Sequence, residues 1–259
     1  MVLCAPCTGK GDSIVELFVT FILGVFVLAG AAVAGFAKNG RQISEISIAV
    51  ALGAMAMLLL DDLLPEALEN ASFIGWPISL IGVALGVLVL LALDKFLPES
   101  HHGAERAESG DSTLHISIAA TIALVAHNIV EGMSVFSLSQ QSMAMAWALV
   151  IGVGLHNIPM GMIIYSGLRE ASLRRRVIVL GFAVFSTFFG GLLMLALSST
   201  VDPRLVPFMV CITIGLLCYI IFFELLPHVV RTDNKKQALL FILVGVAAVA
   251  ASGFFESLV

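Results

Sequence analysis

Charged residues are scarce in this chain of 259 residues. Asp, Glu, Lys and Arg make up 12% of it, whereas 59% is hydrophobic and the mean hydropathy is +1.06. Soluble domains carry about twice that share of charge, roughly 25%. So little charge cannot cover a water-soluble surface, and no nucleic-acid partner is expected. No polar stretch is long enough for a separate soluble domain, so residues 1–259 are predicted to form one polytopic domain in a lipid bilayer.

Cysteine is also rare. Of the four cysteines, only Cys4 and Cys7 stand in a spacing, CAPC, that would suit a disulfide or a metal contact. A mobile tail without a role is the alternative. The chain lacks a basic segment before its first apolar run, and that run exceeds the about 7–15 residues of a signal-peptide core. The first run is therefore predicted to be a membrane span.

Eight apolar runs approach the ~20 residues that a spanning helix needs. Eight spans would place both termini on the same side of the membrane. Of the 13 Lys and Arg residues, that side would hold only Lys10 and Arg204. The positive-inside rule then predicts a plasma-membrane protein with both termini extracellular or periplasmic and a cytoplasmic loop at 98–113. The predicted spans are 14–37, 43–67, 73–97, 114–139, 143–168, 175–199, 205–230 and 237–257.

Two central spans concentrate polar side chains at membrane depth. Span 4 reads HNIVEG over residues 127–132, and span 5 reads HNIPMG over residues 156–161. An ionisable group there costs roughly 2.5–3.5 kcal/mol, so it is kept from lipid or given a partner. Imidazole, amide and carboxylate groups one helical turn apart are ligands of divalent metals, although hydrogen bonding between the helices is the simpler alternative. The predicted metal-site residues are His127, Asn128, Glu131, His156, Asn157 and Met160.

A second motif occurs near the ends of spans 2 and 7. The sequence from Asp62 to Glu66, DLLPE, matches the sequence from Glu224 to His228, ELLPH. Because spans 2 and 7 run in opposite directions, the match predicts an inverted repeat of spans 1–3 and 6–8 around spans 4 and 5. Two ordinary helix ends that stop at a proline are the alternative. The predicted transport pathway consists of Asp61, Asp62, Glu66, Glu224 and His228.

The polar loop after span 3 contains His101 and His102 among several acidic residues. These two histidines are predicted as a flexible acceptor for metal that leaves the membrane. An unstructured polar linker is the alternative.

Together these residues resemble the ZIP (Zrt/Irt-like) family of divalent metal transporters, in its bacterial form. The resemblance covers the whole chain through the eight spans, the HN-x-x-EG motif of span 4, LHNIPMG of span 5, LLPEA of span 2 and ELLPH of span 7. It implies a metal centre between spans 4 and 5, often binuclear, and a motion of spans 1, 4, 5 and 6 against the other four. It also implies that the metal ion is the transported substrate, with zinc as the leading candidate, and that the protein has no cofactor. Pairing with a second copy is left open.

The chain departs from the family at two positions. Met160 replaces the carboxylate of span 5, and the stretch FSTFFGG offers only Ser186 and Thr187 where many bacterial members have a Glu in span 6. Two cations about 4 Å apart need bridging anions to offset their repulsion. The departures therefore predict one metal ion per centre. A thioether contact from Met160 would favour a softer ion such as Cu(I).

Two other functions compete with a transporter. An intramembrane metal-dependent hydrolase would need a metal-bound water and a general base, but the chain has no HExxH motif. Its six His residues are also too few for the membrane oxygenases that bind two irons with eight His. A sensor would bind metal without carrying it. The sequence favours a transporter over an enzyme, and it does not distinguish Zn, Cd, Fe, Mn and Cu.

Overall fold

The structure, a computed structural model, describes residues 12–96, 110–140, 143–197, 202 and 204–257, and all regular structure within them is helical. Two π-helical turns, Leu59–Leu63 and Ile220–Leu225, interrupt the α-helices. The α-helices are α1 (Asp12–Phe36), α2 (Gly40–Leu58), α3 (Leu64–Ile74), α4 (Trp76–Phe96), α5 (Gly110–Ser139), α6 (Met143–Gly167), α7 (Leu173–Leu197), α8 (Leu205–Tyr219), α9 (Leu226–Arg231) and α10 (Lys235–Ser257).

Five continuous helical segments among the described residues are long and apolar enough to cross a membrane. The protein is therefore an all-α, multi-pass membrane protein, as predicted. The apolar part Trp76–Ala92 of α4 is shorter, while α6 and α10 coincide with predicted spans 5 and 8. The five segments are Ser13–Phe36, Gly40–Ile74, Thr121–Ser139, Leu173–Leu197 and Leu205–Arg231.

The boundary between spans 2 and 3 differs from the prediction. Span 2 was expected to end at residue 67, but the helix continues to Ile74. Pro65 does not stop it, because Pro is tolerated in the first turn of a helix, and α3 begins at Leu64. The break comes at Gly75, whose φ of 92° is accessible to glycine and rarely to other residues. The polar stretch around Glu69 therefore lies on a helix and not in a loop.

Each π-helical turn precedes a proline by two residues. Pro65 and Pro227 have no N–H, so the carbonyl groups of Asp61 and Phe223 lose their α-helical donors. A π-helical turn inserts one extra residue into the helix, which accommodates the N–H donor that is missing at proline. Both repeats of the LLP motif thus share the same uncommon backbone, on which Asp61, Asp62 and Glu224 lie.

The long helices form two sets. Bundle 1 consists of α1, α5, α6 and α7, whose most extensive contacts pair α1 with α6 and α5 with α7. Bundle 2 consists of α2, α4, α8 and α10, paired as α2 with α10 and α4 with α8. The two pairs of bundle 2 are joined where each π-helical turn contacts the neighbouring pair.

Reciprocal glycine contacts hold each of these helix pairs together. A Cβ atom built on any of the eight glycines would lie 1.9–2.1 Å from a backbone carbonyl oxygen of the opposite helix. Only glycine permits so close an approach, which is how membrane helices gain packing contacts without a hydrophobic driving force. The pairs are Gly30 with Gly161, Gly132 with Gly190, Gly53 with Gly245 and Gly86 with Gly215.

Helices of different bundles pack less closely than helices of the same bundle. Within the described residues, no glycine of one bundle approaches a backbone carbonyl of the other in this way. Helix α6 packs against α2 and α10, whereas α5 has a smaller contact with α8. This difference leaves space beside α5, and the candidate site lies there.

Candidate metal centre

Three side chains from α5 and α6 converge in the interior. His127 and Glu131 lie one turn apart on the same face of α5, and His156 reaches them from the neighbouring helix α6. The Nε2 atoms of His127 and His156 lie 2.5 Å and 2.7 Å from the same carboxylate oxygen, Oε1 of Glu131. The two imidazole rings are 5.7 Å apart between centroids. A single carboxylate thus connects the two motif copies.

These three residues form a ligand set suited to one cation. One ligand atom from each lies within 4.8 Å of the other two. The His127 and His156 side chains are 6% and 4% exposed and that of Glu131 is 11% exposed, so bulk solvent competes little with them. Glu131 Oε2 has no hydrogen-bond donor within the described residues. Two imidazoles and a carboxylate are ligands that zinc and related divalent ions accept, with a further position left open.

A cavity of about 370 Å³ connects this cluster to three acidic side chains. Asp61, Asp62 and Glu66 line it from the first π-helical turn and from α3. Because the π-helical turn shifts the register of side chains around the helix, the adjacent residues Asp61 and Asp62 both face the cavity. The rest of the lining comes from α2, the first π-helical turn, α5, α6 and α8: Leu58, Leu63, His127, Val130, Glu131, Ser134, Val135, His156, Val210 and Thr213.

The two asparagines of the motifs occupy a different environment. Asn128 and Asn157 are fully buried and do not line the cavity. The amide nitrogen of Asn128 donates a 3.3 Å hydrogen bond to the carbonyl of Ala183 in α7. Neither polar atom of the Asn157 side chain has a hydrogen-bond partner within the described part of the chain. Asn128 therefore ties α5 to α7 behind the cluster, and a ligand role for both asparagines stays a prediction.

Met160 is 4% exposed and belongs to the apolar core of the protein. It packs in the same cluster as Ile163 and Ile164 and does not line the cavity. An apolar side chain thus occupies the position at which the family that the chain resembles has a carboxylate. Whether Met160 also ligates metal stays a prediction.

The second half of the predicted pathway lies away from the cavity. Glu224 is half-buried on the second π-helical turn and does not line the cavity. His228, on α9, lines a separate small cavity together with Glu45 and Asn234. His101, His102, Cys4 and Cys7 lie outside the described residues.

Sequence reasoning missed three polar residues. Ser134 and Thr213 line the cavity, and their position follows only from how α5 and α8 face each other. Glu16 of α1 is 2% exposed, although it stands in an apolar helix near the predicted outer side. An acidic residue inside a spanning run was the signal that could have identified Glu16.

One comparison with known proteins decides the family. The family model of the ZIP zinc transporters matches residues 94–253, which is more than half of the chain and includes His127, Glu131 and His156. The chain belongs to the ZIP zinc transporter family. No curated protein matches it.

ZIP membership agrees with the geometry of the centre. The family implies transport of divalent metal ions, and the ligand cluster inside a helical membrane protein is a site where such an ion would bind. ZIP proteins are transporters and not enzymes. The acidic residues Asp61, Asp62 and Glu66 lie before the matched range, and their cavity connects them to it.

Proposed function

We propose that this ZIP protein carries zinc across the membrane, one ion at a time, through the cluster of His127, Glu131 and His156. The observation that supports this proposal most is the convergence of those three ligand atoms within 4.8 Å at a cavity whose wall bears Asp61, Asp62 and Glu66. Acidic groups on the wall raise the local concentration of cations, and the histidines then select among them. Two imidazoles favour zinc over magnesium and calcium, which prefer oxygen ligands.

A single ion per centre is supported by the uncharged residues on α6 and α7 at the two positions where the resemblance has carboxylates. Met160 belongs to the apolar core, and the hydroxyl of Ser186 donates to the carbonyl of Ala183. Thr187 supplies an uncharged hydroxyl only. One carboxylate cannot offset the repulsion between two divalent ions a few ångströms apart.

An inverted repeat is supported by three features that recur in both halves. The LLP motifs share a π-helical turn, the HN motifs meet at the same carboxylate, and the reciprocal glycines occupy equivalent positions in the two halves. Gly53 precedes Asp62 by as many residues as Gly215 precedes Glu224. Such repeats are typical of transporters that work by alternating access.

An elevator motion of bundle 1 against bundle 2 is supported by the difference between their contacts. Glycines interlock the helices inside each bundle, so each bundle should move as one body. Contacts between the bundles involve side chains that can slide past one another. All three ligands belong to bundle 1, whereas the acidic wall lies on the first π-helical turn and α3, which continue α2 and pack against α4 and α8 of bundle 2. A displacement of bundle 1 would therefore carry the ion away from that wall.

The proposed orientation of the protein, on which inward transport depends, is supported by the distribution of basic residues. Eleven of the 13 Lys and Arg residues fall on the side away from the termini, which the positive-inside rule assigns to the cytoplasm. In that orientation the cavity opens toward the outside of a plasma membrane. Zinc would enter past Asp62 and leave toward the cytoplasm near Glu224 and His228.

Uptake by proteoliposomes tests the proposal. Purified protein is reconstituted, and entry of Zn, Cd, Fe, Mn and Cu(I) is followed with a metal-sensitive dye inside the vesicles. We expect saturable zinc entry that empty vesicles lack. Metal that binds to the protein but never enters would contradict transport and favour a sensor.

A further inference from the structure

The interface between the bundles is open at one end and closed at the other. At the open end, the cavity separates α5 from the first π-helical turn and α8. At the opposite end, α6 packs tightly against α2 and α10, and Ile48, Ala51, Ile163 and Ile164 are all 0% exposed. These four residues are called the apolar plug below.

The apolar plug is the repeat counterpart of the cavity wall. His127 of α5 corresponds to His156 of α6, so each residue of α5 corresponds to the residue of α6 that is 29 positions later. In the same way, Asp62 corresponds to Glu224, so each residue of α2 corresponds to the residue of α8 that is 162 positions later. By this relation each of four wall residues has a fully buried partner in the plug. The pairs are Ser134 with Ile163, Val135 with Ile164, Thr213 with Ala51 and Val210 with Ile48.

Two buried serine side chains form a hydrogen bond across the interface at the closed end. The hydroxyl oxygens of Ser47 in α2 and Ser166 in α6 are 2.9 Å apart, and the two residues are 0% and 8% exposed. The hydroxyl of Ser166 donates to the carbonyl of Met162 at 2.8 Å, so its single proton is committed. Ser47 is therefore the donor and Ser166 the acceptor in the bond between the bundles.

We propose that the bond between Ser47 and Ser166 is a latch that keeps the apolar plug shut while the metal site faces the open end. The inference rests on the proposed function, because it assumes that bundle 1 moves against bundle 2. When the bundles part, Ser166 keeps its bond to Met162 and only Ser47 loses a partner. Opening the apolar plug therefore breaks one neutral hydrogen bond. The loss of that bond corresponds to roughly a twofold to tenfold preference for the shut state over the open state.

The latch exists for one end only. The repeat counterparts of Ser47 and Ser166 are Met209 and Ser137, and a methionine has no hydroxyl to donate. Closing the opposite end would therefore form no equivalent bond. The latch favours the state with the plug shut, so the metal-free transporter rests with its site open toward the acidic wall.

Accessibility of a plug residue tests the latch without any need for transport. Ala51→Cys is introduced after the four native cysteines have been replaced by Ser, and it is labelled with a membrane-impermeant maleimide from the closed end. Adding Ser47→Ala should raise the labelling rate by about twofold to tenfold. The matched control is Ser79→Ala. The buried hydroxyl of Ser79 donates to the carbonyl of Gly75, and this bond does not connect the two bundles. Equal rates for Ser47→Ala and Ser79→Ala would overturn the latch.

Cross-linking supplies the second measurement. The variant with Ser47→Cys and Ser166→Cys should form a disulfide on oxidation, since the native oxygens are only 2.9 Å apart. Oxidised protein should bind zinc from the open end but lose uptake, and a reductant should restore uptake. Continued uptake with the cross-link complete by mass spectrometry would also overturn the latch. Failure of the proposed function is distinguishable, because the parent protein would then carry no metal either before or after oxidation.

Discussion

At the scale of single residues, Glu131 organises the metal centre. Its Oε1 atom contacts both histidines, so one carboxylate holds the three proposed ligands together. A buried carboxylate without such partners would be costly in a membrane. The arrangement keeps the ligands close before metal arrives, which lowers the ordering cost of binding.

Replacing His127 with Ala should reduce zinc affinity by about 100-fold or more and abolish uptake, because one of three ligands is lost. The protein should remain folded, since the ring faces a cavity. Isothermal titration with zinc in detergent and gel filtration check the two statements. His228→Ala is the comparison variant, because His228 lines a separate cavity and its loss should leave zinc binding at the centre intact. Unchanged zinc affinity in His127→Ala would reject the assignment.

The proposal of one ion per centre predicts that Met160 limits the number of bound ions. Met160→Glu places a carboxylate one turn from His156, where metal-free protein must bury it and one of the two acids should stay protonated. With zinc present the two carboxylates could bridge a second ion, so we expect two zinc ions per chain instead of one, and slower release.

Metal counting by mass spectrometry of the purified proteins measures the effect of Met160→Glu. Met160→Gln is the matched control, because it adds an uncharged oxygen of the same reach and should leave the count at one. Two ions in the unmodified protein would show that the methionine does not limit the site.

At the scale of elements, proline and glycine determine how the helices wind and pack. The prolines of the two LLP motifs each follow a π-helical turn, and the first turn directs Asp61 and Asp62 into the cavity. The glycines bring helix backbones into direct contact within each bundle. Both effects act on the backbone, which explains why they recur in the two halves although the side chains differ.

Gly245→Ala should destabilise the protein by roughly 1–3 kcal/mol, because the added methyl group would lie 2.0 Å from the carbonyl oxygen of Val50 and force α10 away from α2. Gly181→Ala is the matched control within another helix, since no heavy atom lies within 4 Å of the added carbon. Thermal unfolding in detergent measures both. A similar melting temperature for the two variants would contradict the close packing.

At the scale of the whole molecule, the two ends of the bundle interface differ. A polar cavity with three acids occupies one end and buried aliphatic side chains occupy the other. Among the described residues, the cavity therefore adjoins the ligand cluster at one end, and buried aliphatic side chains pack at the other. That asymmetry is what alternating access requires of a transporter in any one state.

The proposed orientation is open to a direct test. Gly103→Cys and Ser172→Cys, each as the only cysteine, should react with an impermeant maleimide only from the cytoplasm, and Gln140→Cys only from outside. The reason is the excess of Lys and Arg in the loops that contain residues 103 and 172. Intact cells and inverted vesicles provide the two sides. Labelling of positions 103 and 140 from one side would refute the eight-span topology.

The sequence by itself determined that this is a helical membrane protein with divalent-metal ligands at mid-membrane. Scarce charge and long apolar runs leave no other class, and the spacing of His127 and Glu131 on a helix places them on one face. The match with the ZIP family and the long apolar helices confirm the class of the protein, and the structure brings His127 and Glu131 together with His156. The binding of metal at this cluster and its depth in the membrane stay predictions. Local periodicity and motif spacing are sufficient for such predictions, because they depend on neighbours in the chain.

Only the tertiary structure decided which polar residues share a cavity. Asp61, Asp62 and Glu66 reach the centre while Glu224 and His228 do not line that cavity, although the motifs look alike. Asn128 binds a backbone carbonyl of α7, and Met160 joins the apolar core. The reason is that the repeat makes the two ends alike in sequence, whereas the relative position of the bundles opens one end and closes the other. That position is set by contacts between helices far apart in the chain, which local patterns do not encode.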